Sequence, residues 1–483
     1  MSAAASGFVA GVRCEARQLG RDRAAWLALI ALAGAILFTL AAGAERSESR
    51  KAIIAAARAE ETQRIAGLKN SLVQRLRAET DGKPLPDPPY YRDPRNPVFM
   101  GGGPAARTAA LANAPLSLVA VGQSDLLPPV VKVASDSRDT FLFADEIENP
   151  AGLMIGATDL AFVLVFAYPL IVLAFVCNLL AYEREQGVLA MTLASARRPG
   201  VVLAGKFAVR AGAPVLCALV ATTVGLAIFV GAHVLQTAEF FELLLLIALF
   251  GLFWAAVAAA VDSLGKSSAF NTIAVIGAFT LLTMIGPAAL NSLAVFMYPA
   301  PSRIDMVLAA RAASIDAEQN RSSTLAHFAE EQGSVGPKAR ASLEATRKRL
   351  ATQEAAFERV EAVVAAHDAQ LARQRTFSGR LAFLSPPLLT YGLLADIAGT
   401  GETRYALFND AIRMFHGDWR RFFGQRSEAG VDLTPADYDA LPRFPEMSAA
   451  IPPLSAGAFI GIAVPALLLA AFAARRFRRL SPR

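Results

Sequence analysis

Six long runs of the sequence carry no Asp, Glu, Lys or Arg, and they constrain the fold more than any other feature. A helix needs about 20 mainly apolar residues to cross the hydrocarbon core of a bilayer. With 54% hydrophobic and only 18% charged residues, the chain is also more apolar than an ordinary soluble protein. The sequence therefore predicts an all-α membrane protein with six transmembrane helices. The runs are 24–43, 160–181, 211–235, 243–261, 268–297 and 447–474.

The fifth run is longer than one span needs, and it contains Pro287. Proline lacks a backbone N–H and its ring clashes with the preceding turn of a helix. We therefore predict a helix to about Gly286, followed by a kink or a re-entrant end.

The basic residues predict the orientation of the spans. Residues 1–23, 182–210, 262–267 and 475–483 together hold 15 Lys or Arg against five Asp or Glu. Short basic flanks stay in the cytoplasm, so we expect both termini there, in a bacterial plasma (inner) membrane. The first run is longer than the usual core of a cleaved signal peptide. The net charge of +6 is therefore a topology signal, and no basic stripe with interleaved aromatics points to nucleic acid.

Two large segments, 44–159 and 298–446, are then extracytoplasmic. The first begins with apolar residues at three- and four-residue steps, which predict a long amphipathic helix ending at Asp81-Gly82. Possible strands follow at 116–121 and 130–133, and residues 340–375 of the second segment predict a helix with a short heptad trace. Neither segment contains cysteine, so no disulfide framework is expected. We expect the two segments to form a mixed, mostly helical cap.

The predicted organisation follows from these assignments. A cytoplasmic N-terminal helix, 1–23, leads into the first span, 24–43, and the segment 44–159. The membrane core is 160–297 and includes a cytoplasmic helix at 183–198. The segment 298–446, the last span within 447–474 and a basic cytoplasmic tail, 475–483, complete the chain.

The sequence offers no catalytic constellation. Residues 260–267 are close to the phosphate-binding pattern G-x-x-x-x-G-K-[ST], but a membrane span precedes them where that loop needs a strand, so we predict a turn between two helices. The four histidines have no metal-ligand spacing. The spans lack the ionisable residues that ion-coupled carriers usually keep in the bilayer. We therefore predict a chain that is not an enzyme, has no cofactor or metal of its own, and depends on an energy-using partner.

The stretch "YEREQGVLAMTLASARRPG", residues 182–200, is the place where such a partner would dock. Glu183 and Glu185 stand at the start of a predicted helix, 183–198, and Arg197 and Arg198 at its end, as the helix dipole favours. The apolar residues in the middle of this predicted helix have to be shielded from water. Two interpretations remain open: a helix resting on membrane lipid, or a helix seated in a groove of a cytoplasmic protein.

The longer stretch "EREQGVLAMTLASARRPGVVLAGK" resembles a segment of ABC-2 type ABC transporter permeases that reads roughly E-x-E-x-G-T-L and ends in G-K. Val188 and Ala196 depart from that pattern, and Arg197 and Arg198 stand near its usual Arg. In this family the segment is the coupling helix that contacts the ATPase subunit. The resemblance implies ATPase-coupling roles for Glu183, Glu185, Gly187, Leu189, Arg197 and Arg198, and it also extends to Gly205 and Lys206.

Other stretches, including "AVGQSDLLPP" and "DEIENP", resemble a subfamily with two large extracytoplasmic insertions. This resemblance implies a permease subunit that exports a substrate, with ATP bound on a separate cytoplasmic ATPase subunit and a second permease completing a homo- or heterodimer. The mass outside the membrane supports an alternative: a subunit that transports nothing and relays ATPase motion to a periplasmic partner. A membrane-bound enzyme has no residue constellation to support it.

Overall fold

The first span belongs to one unbroken helix, α2, which runs over Arg23–Thr80, 58 residues. Asp22 caps its first turn, because the Asp22 carboxylate accepts hydrogen bonds from the N–H groups of Ala24 and Ala25. At 1.5 Å per residue the helix is about 87 Å long. Its end beside Asp81 confirms the predicted amphipathic helix, which therefore continues directly from the membrane span without a hinge.

This computed structural model describes residues 3–83, 85–86, 88, 92–124, 127–135, 158–189, 191, 199–300, 304, 308, 311–312, 315, 365–447, 454 and 456–477. Among them are six helical stretches long and apolar enough to cross a membrane, which confirms the predicted all-α membrane class. We number them spans 1 to 6: Arg23–Thr80, Leu160–Glu185, Gly200–Phe229, Ala238–Asp262, Ser268–Met297 and Gly457–Phe477.

The individual helices follow in chain order. Span 2 contains three helices, and span 5 contains two. Residues 365–381 are also helical, whereas the predicted heptad positions up to residue 364 lie outside the described residues. The bounds are α1 Ala3–Leu19, α2 Arg23–Thr80, α3 Pro97–Gly101, α4 Leu160–Phe162, α5 Tyr168–Val176, α6 Leu179–Glu185, α7 Pro199–Phe229, α8 Ala238–Asp262, α9 Ser268–Thr280, α10 Gly286–Met297, α11 Pro386–Ala398, α12 Glu402–Ala429, α13 Pro435–Asp439 and α14 Ala456–Phe477.

Two π-helical turns accommodate prolines within the spans. Span 2 has a π turn at Val163–Ala167 and span 5 has one at Leu281–Ile285. Pro169 and Pro287 each stand two residues after such a turn. A π turn widens the backbone, at the place where a proline ring would otherwise meet a carbonyl of the preceding turn. Helical structure therefore continues past Gly286 to Met297, which contradicts the predicted end there, whereas the alternative, a kink, stays a prediction.

The cap contains one small antiparallel sheet. Strand β1, Arg107–Ala110, pairs with β2, Val130–Val133, with Arg107 opposite Val133. The second predicted strand is thus confirmed, whereas the prediction of a strand at 116–121 is wrong. Those residues form turns, and their apolar character reflects burial against the membrane core: the Val119 carbonyl accepts a hydrogen bond from the Ala161 N–H at 3.1 Å.

Both predicted external segments contribute to one hydrophobic core, the cap core. The far end of α2, α3, the sheet, α12 and α13 supply its side chains. Trp419 is fully buried at its centre, and its indole N–H donates to the Gly101 carbonyl at 3.0 Å. In the part of the chain that the structure describes, the two segments therefore pack together, as expected. The large buried side chains of the cap core are Leu72, Met100, Tyr405, Phe408, Ile412, Phe415, Trp419, Phe423, Leu433, Tyr438 and Leu441.

Candidate functional site

One end of the membrane core collects the residues that the sequence predicts to couple to a partner. We call it the coupling end; α1, the Gln186–Gly187 turn with the residues after it, the turn 263–267 and the end of α14 lie there. The segment 183–198 does not form the single helix expected, because α6 ends at Glu185 and Gly187 adopts φ of +72°. Val188, Leu189 and Met191 are helical beyond that turn. Arg197 and Arg198 lie outside the described residues.

Span 2 is interrupted just before it reaches the coupling end. Helix α5 ends at Val176 and α6 begins at Leu179. The first N–H groups of a helix have no partner within it. Here the Asp262 carboxylate, at the end of span 4, accepts from the N–H of Leu180 at 2.8 Å and from that of Ala181 at 3.1 Å. Span 4 therefore caps the restarted helix of span 2.

Asn271 ties span 5 into the same network. Its side-chain amide donates to Asp262 Oδ1 at 2.9 Å and to the Cys177 carbonyl at 3.2 Å. Both Asp262 and Asn271 are buried, and buried polar groups are stable only when they are hydrogen-bonded. Spans 2, 4 and 5 thus meet at one polar contact.

Glu183 and Lys206 form an ion pair between spans 2 and 3. Both side chains are buried, so each charge depends on the other for compensation. Lys206 is the lysine of the G-K pair that ends the predicted coupling segment. Glu183 therefore joins two spans, and its predicted contact with an ATPase stays a prediction.

Glu185 caps the beginning of span 5. Its carboxylate accepts from the Ser268 backbone N–H at 2.8 Å and from the Ser268 hydroxyl at 3.0 Å. The glutamate itself is exposed. Residues 260–267 accordingly form the end of α8 and a turn with Gly265 at φ +74°, and α9 follows directly. Two helices thus flank this turn, as predicted, where a phosphate-binding loop would need a strand on one side.

Leu189 anchors the segment that follows Gly187. It is buried against Leu180 and Leu203, with Phe207 and Phe477 at the edge of the cluster. The Phe207 and Phe477 rings stack with centroids 5.2 Å apart, which brings the end of span 6 to the same place. Three large apolar side chains close to Leu189 in sequence are exposed: Tyr182, Val188 and Met191. We call them the exposed apolar patch.

Helix α1 packs across the start of α7 at very short range. A Cβ at Gly11 would lie 2.3 Å from the Val202 carbonyl oxygen, and a Cβ at Gly205 would lie 2.6 Å from the Phe8 carbonyl oxygen. Only glycine permits that approach of two backbones. Next to it, the buried carboxylate of Glu15 pairs with Arg210. The N-terminal helix is therefore fixed to span 3 at the coupling end.

Sequence reasoning matched Lys206 to the family segment but missed Asp262, Asn271 and the Glu15–Arg210 pair as parts of this site. A signal existed for Asp262, which is the first charge after a long apolar run. Its backbone partners Leu180 and Ala181 are some 80 residues away, however, and no pattern within one element indicates them. Among the described residues, no group of His, Cys, Asp and Glu could hold a metal ion.

Comparison with known families adds a match over most of the chain. Residues 12–340 match the ABC-2 family transporter proteins. Residues 303–445 match a domain of unknown function, DUF3526, which includes much of the second external segment. No curated protein and no solved structure matched the chain.

Proposed function

This chain belongs to the ABC-2 family of transporter proteins, and we propose that it is the permease subunit of an exporter whose ATP is bound and hydrolysed on a separate cytoplasmic ATPase subunit. One observation carries the proposal: the exposed apolar patch stands directly on residues that link five spans. An ATPase that seats on Tyr182, Val188 and Met191 would act on the whole membrane core.

The mechanical path runs through the contacts of the coupling end. Leu189 connects the docking segment with spans 2, 3 and 6. The Glu183–Lys206 pair joins spans 2 and 3, and Asp262 joins spans 2 and 4. Closure of the ATPase subunits would push the docking segment, and the linked spans would respond as a rigid body. Gly187, with φ of +72°, makes the turn between α6 and the docking segment.

A second permease subunit, identical or similar, would complete the complex in the bacterial plasma membrane. In spans 5 and 6 only 17% of the most apolar stretch is buried within this chain, and in span 1 only 28%. These faces are available to lipid and to a second permease. Both termini would then be cytoplasmic, beside the docked ATPase.

A groove supports transport over simple relay. It has a volume of about 1120 Å³ and lies between spans 3, 4 and 6 near the coupling end. Most of its lining side chains are alanine, with Leu249, Leu252 and Leu467 among the larger ones. A transporter needs room between its spans, and a molecule that used this groove would have to be apolar.

One feature favours the second function, a relay to a periplasmic partner. Helix α2 is continuous from the membrane to the cap core, where Leu72 is fully buried. Any tilt of span 1 would therefore be carried into the cap. The two functions differ in whether the groove is needed.

Docking is tested by co-purification. We would tag the C-terminus, extract the protein in mild detergent, and measure which ATPase co-purifies and how fast the sample hydrolyses ATP. Met191→Glu should abolish co-purification, because it places a charge in the exposed apolar patch. Met414→Glu is the matched control, since Met414 in the cap is as exposed, 69% against 67%. Failure of any ATPase to co-purify with the native chain, even after crosslinking in intact membranes, would refute docking, as would full retention by Met191→Glu.

The groove distinguishes transport from relay. Ala470→Trp would fill the groove from span 6 without touching the exposed apolar patch. If the complex is an exporter, this variant should keep the ATPase and fail to complement deletion of the native protein. Complementation by Ala470→Trp would instead support the relay function.

A further inference from the structure

A cavity of about 230 Å³ lies where α2 passes from the membrane core into the cap. Its walls are α2, residues 111–114 with Ser117, the four residues Val121, Ser124, Leu127 and Pro129, the turn at Gly399–Thr400 and the beginning of α12. Three of its lining side chains are arginines, namely Arg46, Arg50 and Arg404, and no carboxylate lines it among the described residues. The described lining of the cavity is therefore positively charged.

The walls are held by close backbone contacts. A Cβ at Gly43 would lie 2.3 Å from the Leu118 carbonyl oxygen, and a Cβ at Gly122 would lie 2.4 Å from the Thr400 carbonyl oxygen. The Gln123 N–H donates to the same Thr400 oxygen at 2.8 Å. Such contacts leave little freedom to collapse, so the cavity is preformed.

Two of the arginines are oriented by uncharged acceptors. Arg50 donates to the Ser124 carbonyl at 2.6 Å and to the Tyr405 hydroxyl at 3.1 Å. Arg404 donates to the Gly399 carbonyl at 3.0 Å and to the Ala112 carbonyl at 2.7 Å. These bonds fix the guanidinium groups, but neutral acceptors do not compensate their charge.

One hydrogen-bond donor of the Arg46 guanidinium has no acceptor among the described residues. Its Nη2 is buried and makes no hydrogen bond to any described residue. The buried carboxylate of Asp159 is stabilised by the charge of Arg46, but both its oxygens accept backbone N–H groups, those of Val121 and Phe162, at 2.7 Å. A buried donor without an acceptor is costly, and an incoming anion would remove that cost.

The arginines also act on one another. Burial lowers the pKa of the Arg404 guanidinium; the Tyr405 side chain opposes that effect, and the positive charge of Arg50 adds to it. Like charges held close together in a partly desolvated space repel. An anion bound between them would attract both guanidinium groups and so offset their mutual repulsion.

We propose that this cavity binds a single phosphate-bearing anion, with Arg46 Nη2 as the free donor and Arg50 and Arg404 as supporting charges. The planar donor pairs of guanidinium groups match the oxygens of a phosphate well. Three guanidinium groups offer more hydrogen-bond donors than one carboxylate can accept. The cavity is smaller than the usual ligand pocket of about 300–1,000 Å³, so the ligand is a small anion or one headgroup.

The phosphate has two possible sources. The cavity begins at Gly43, where the first charge-free run ends, and that is the depth at which lipid headgroups meet a span. A phospholipid headgroup can therefore reach it, as can a soluble phosphate from the external side. The inference does not depend on ATPase docking at the opposite end of span 1.

The experiment uses the full chain. We would titrate the detergent-purified protein with inorganic phosphate by calorimetry. We would also reconstitute it in nanodiscs of phosphatidylcholine with and without phosphatidylglycerol and count retained lipids by native mass spectrometry. Arg46→Gln should weaken binding at least about tenfold, the loss expected for one charge-assisted hydrogen bond. The control is Arg421→Gln, which removes an exposed cap arginine paired with Asp418.

The variants separate the outcomes. Phosphate binding that Arg46→Gln weakens and Arg421→Gln preserves identifies a soluble ligand, and retention of phosphatidylglycerol with the same dependence identifies a lipid. Arg46→Lys keeps the charge but loses the planar donor pair, so it should bind with intermediate strength even if Arg46→Gln folds poorly. No binding of either probe by the native chain, or equal binding by all variants, would overturn the proposal.

Discussion

The Glu183 carboxylate and the Lys206 ammonium pair with each other inside the protein, between spans 2 and 3. The pair joins the first glutamate of the predicted coupling segment to the lysine that ends it. The resemblance predicts that Glu183 contributes to ATPase coupling. Its burial gives it a structural task, which changes what a mutation there would report.

Removing one partner of this pair should destabilise the protein strongly. Glu183→Gln leaves a buried lysine charge without compensation, which typically costs about 3–5 kcal/mol. Glu183→Leu combined with Lys206→Met removes both charges and should recover most of that loss. Thermal unfolding in detergent measures the difference. Equal midpoints for the single and double variants would contradict the buried pairing.

The cap that Asp262 places on α6 gives a second prediction. Asp262→Ala removes the acceptor for the Leu180 and Ala181 N–H groups and for Asn271. The beginning of α6 should then open more often, because orphaned buried donors cost about 1–3 kcal/mol each. Hydrogen exchange at Leu180 and Ala181 should accelerate in the variant. Ser263→Ala, which alters a neighbouring residue whose hydroxyl bonds locally to the Ala260 carbonyl, should leave that exchange unchanged.

Substitution by alanine should change the stability of the protein in opposite directions at two glycines, Gly187 and Gly67. Gly187 has φ of +72°, and a side chain there costs roughly 1–2 kcal/mol. Gly67 lies within α2 with open space around its Cα, so Gly67→Ala should stabilise that helix by about 0.5–1 kcal/mol. ATP hydrolysis by the complex should fall in Gly187→Ala and persist in Gly67→Ala. Unimpaired coupling in Gly187→Ala would remove the turn from the proposed mechanical path.

The cap should lose stability in acid. Burial acts to raise the pKa of Asp437, but hydrogen bonds from Thr434 and the charge and hydrogen bonds of Arg426 outweigh it, so the pKa lies below its usual value. A carboxyl with a lowered folded-state pKa stabilises the fold above its unfolded pKa of about 3.9. That contribution is lost as the pH falls through the lower folded value.

Asp437→Asn is the control for the acid effect. It retains the shape of the capping box at α13 but cannot titrate. Hydrogen exchange of residues 434–439 measured from about pH 5 to pH 3, corrected for intrinsic rates, should show increasing opening in the native chain and a flatter response in the variant. An identical pH response in both would assign the acid loss to other carboxyls.

Much of the fold could be predicted from the sequence. The six spans, the helix ending at Thr80 and the strand at 130–133 are encoded by local patterns. The errors have local causes as well. Residues 116–121 are apolar because they lie between the membrane core and the cap, and Pro287 is accommodated by a π turn that the hydropathy pattern does not indicate.

Sequence reasoning located only part of the candidate site. The resemblance drew attention to Glu183, Glu185, Gly187 and Leu189, and the structure brings all four to the coupling end. It did not indicate which of them is buried. Docking of the ATPase on this segment stays a prediction, as do the roles of Arg197 and Arg198.

The six membrane crossings are encoded in consecutive residues, because a backbone in hydrocarbon must satisfy its hydrogen bonds within apolar helices of sufficient length. The linear sequence is therefore enough to find them. Three other features depend on how the helices pack. Asp262 caps α6, Glu183 pairs with Lys206, and Arg46, Arg50 and Arg404 surround one cavity. Those contacts join residues from about 20 to more than 350 positions apart in the chain, and no single element encodes which partners meet, since each contact depends on its neighbours.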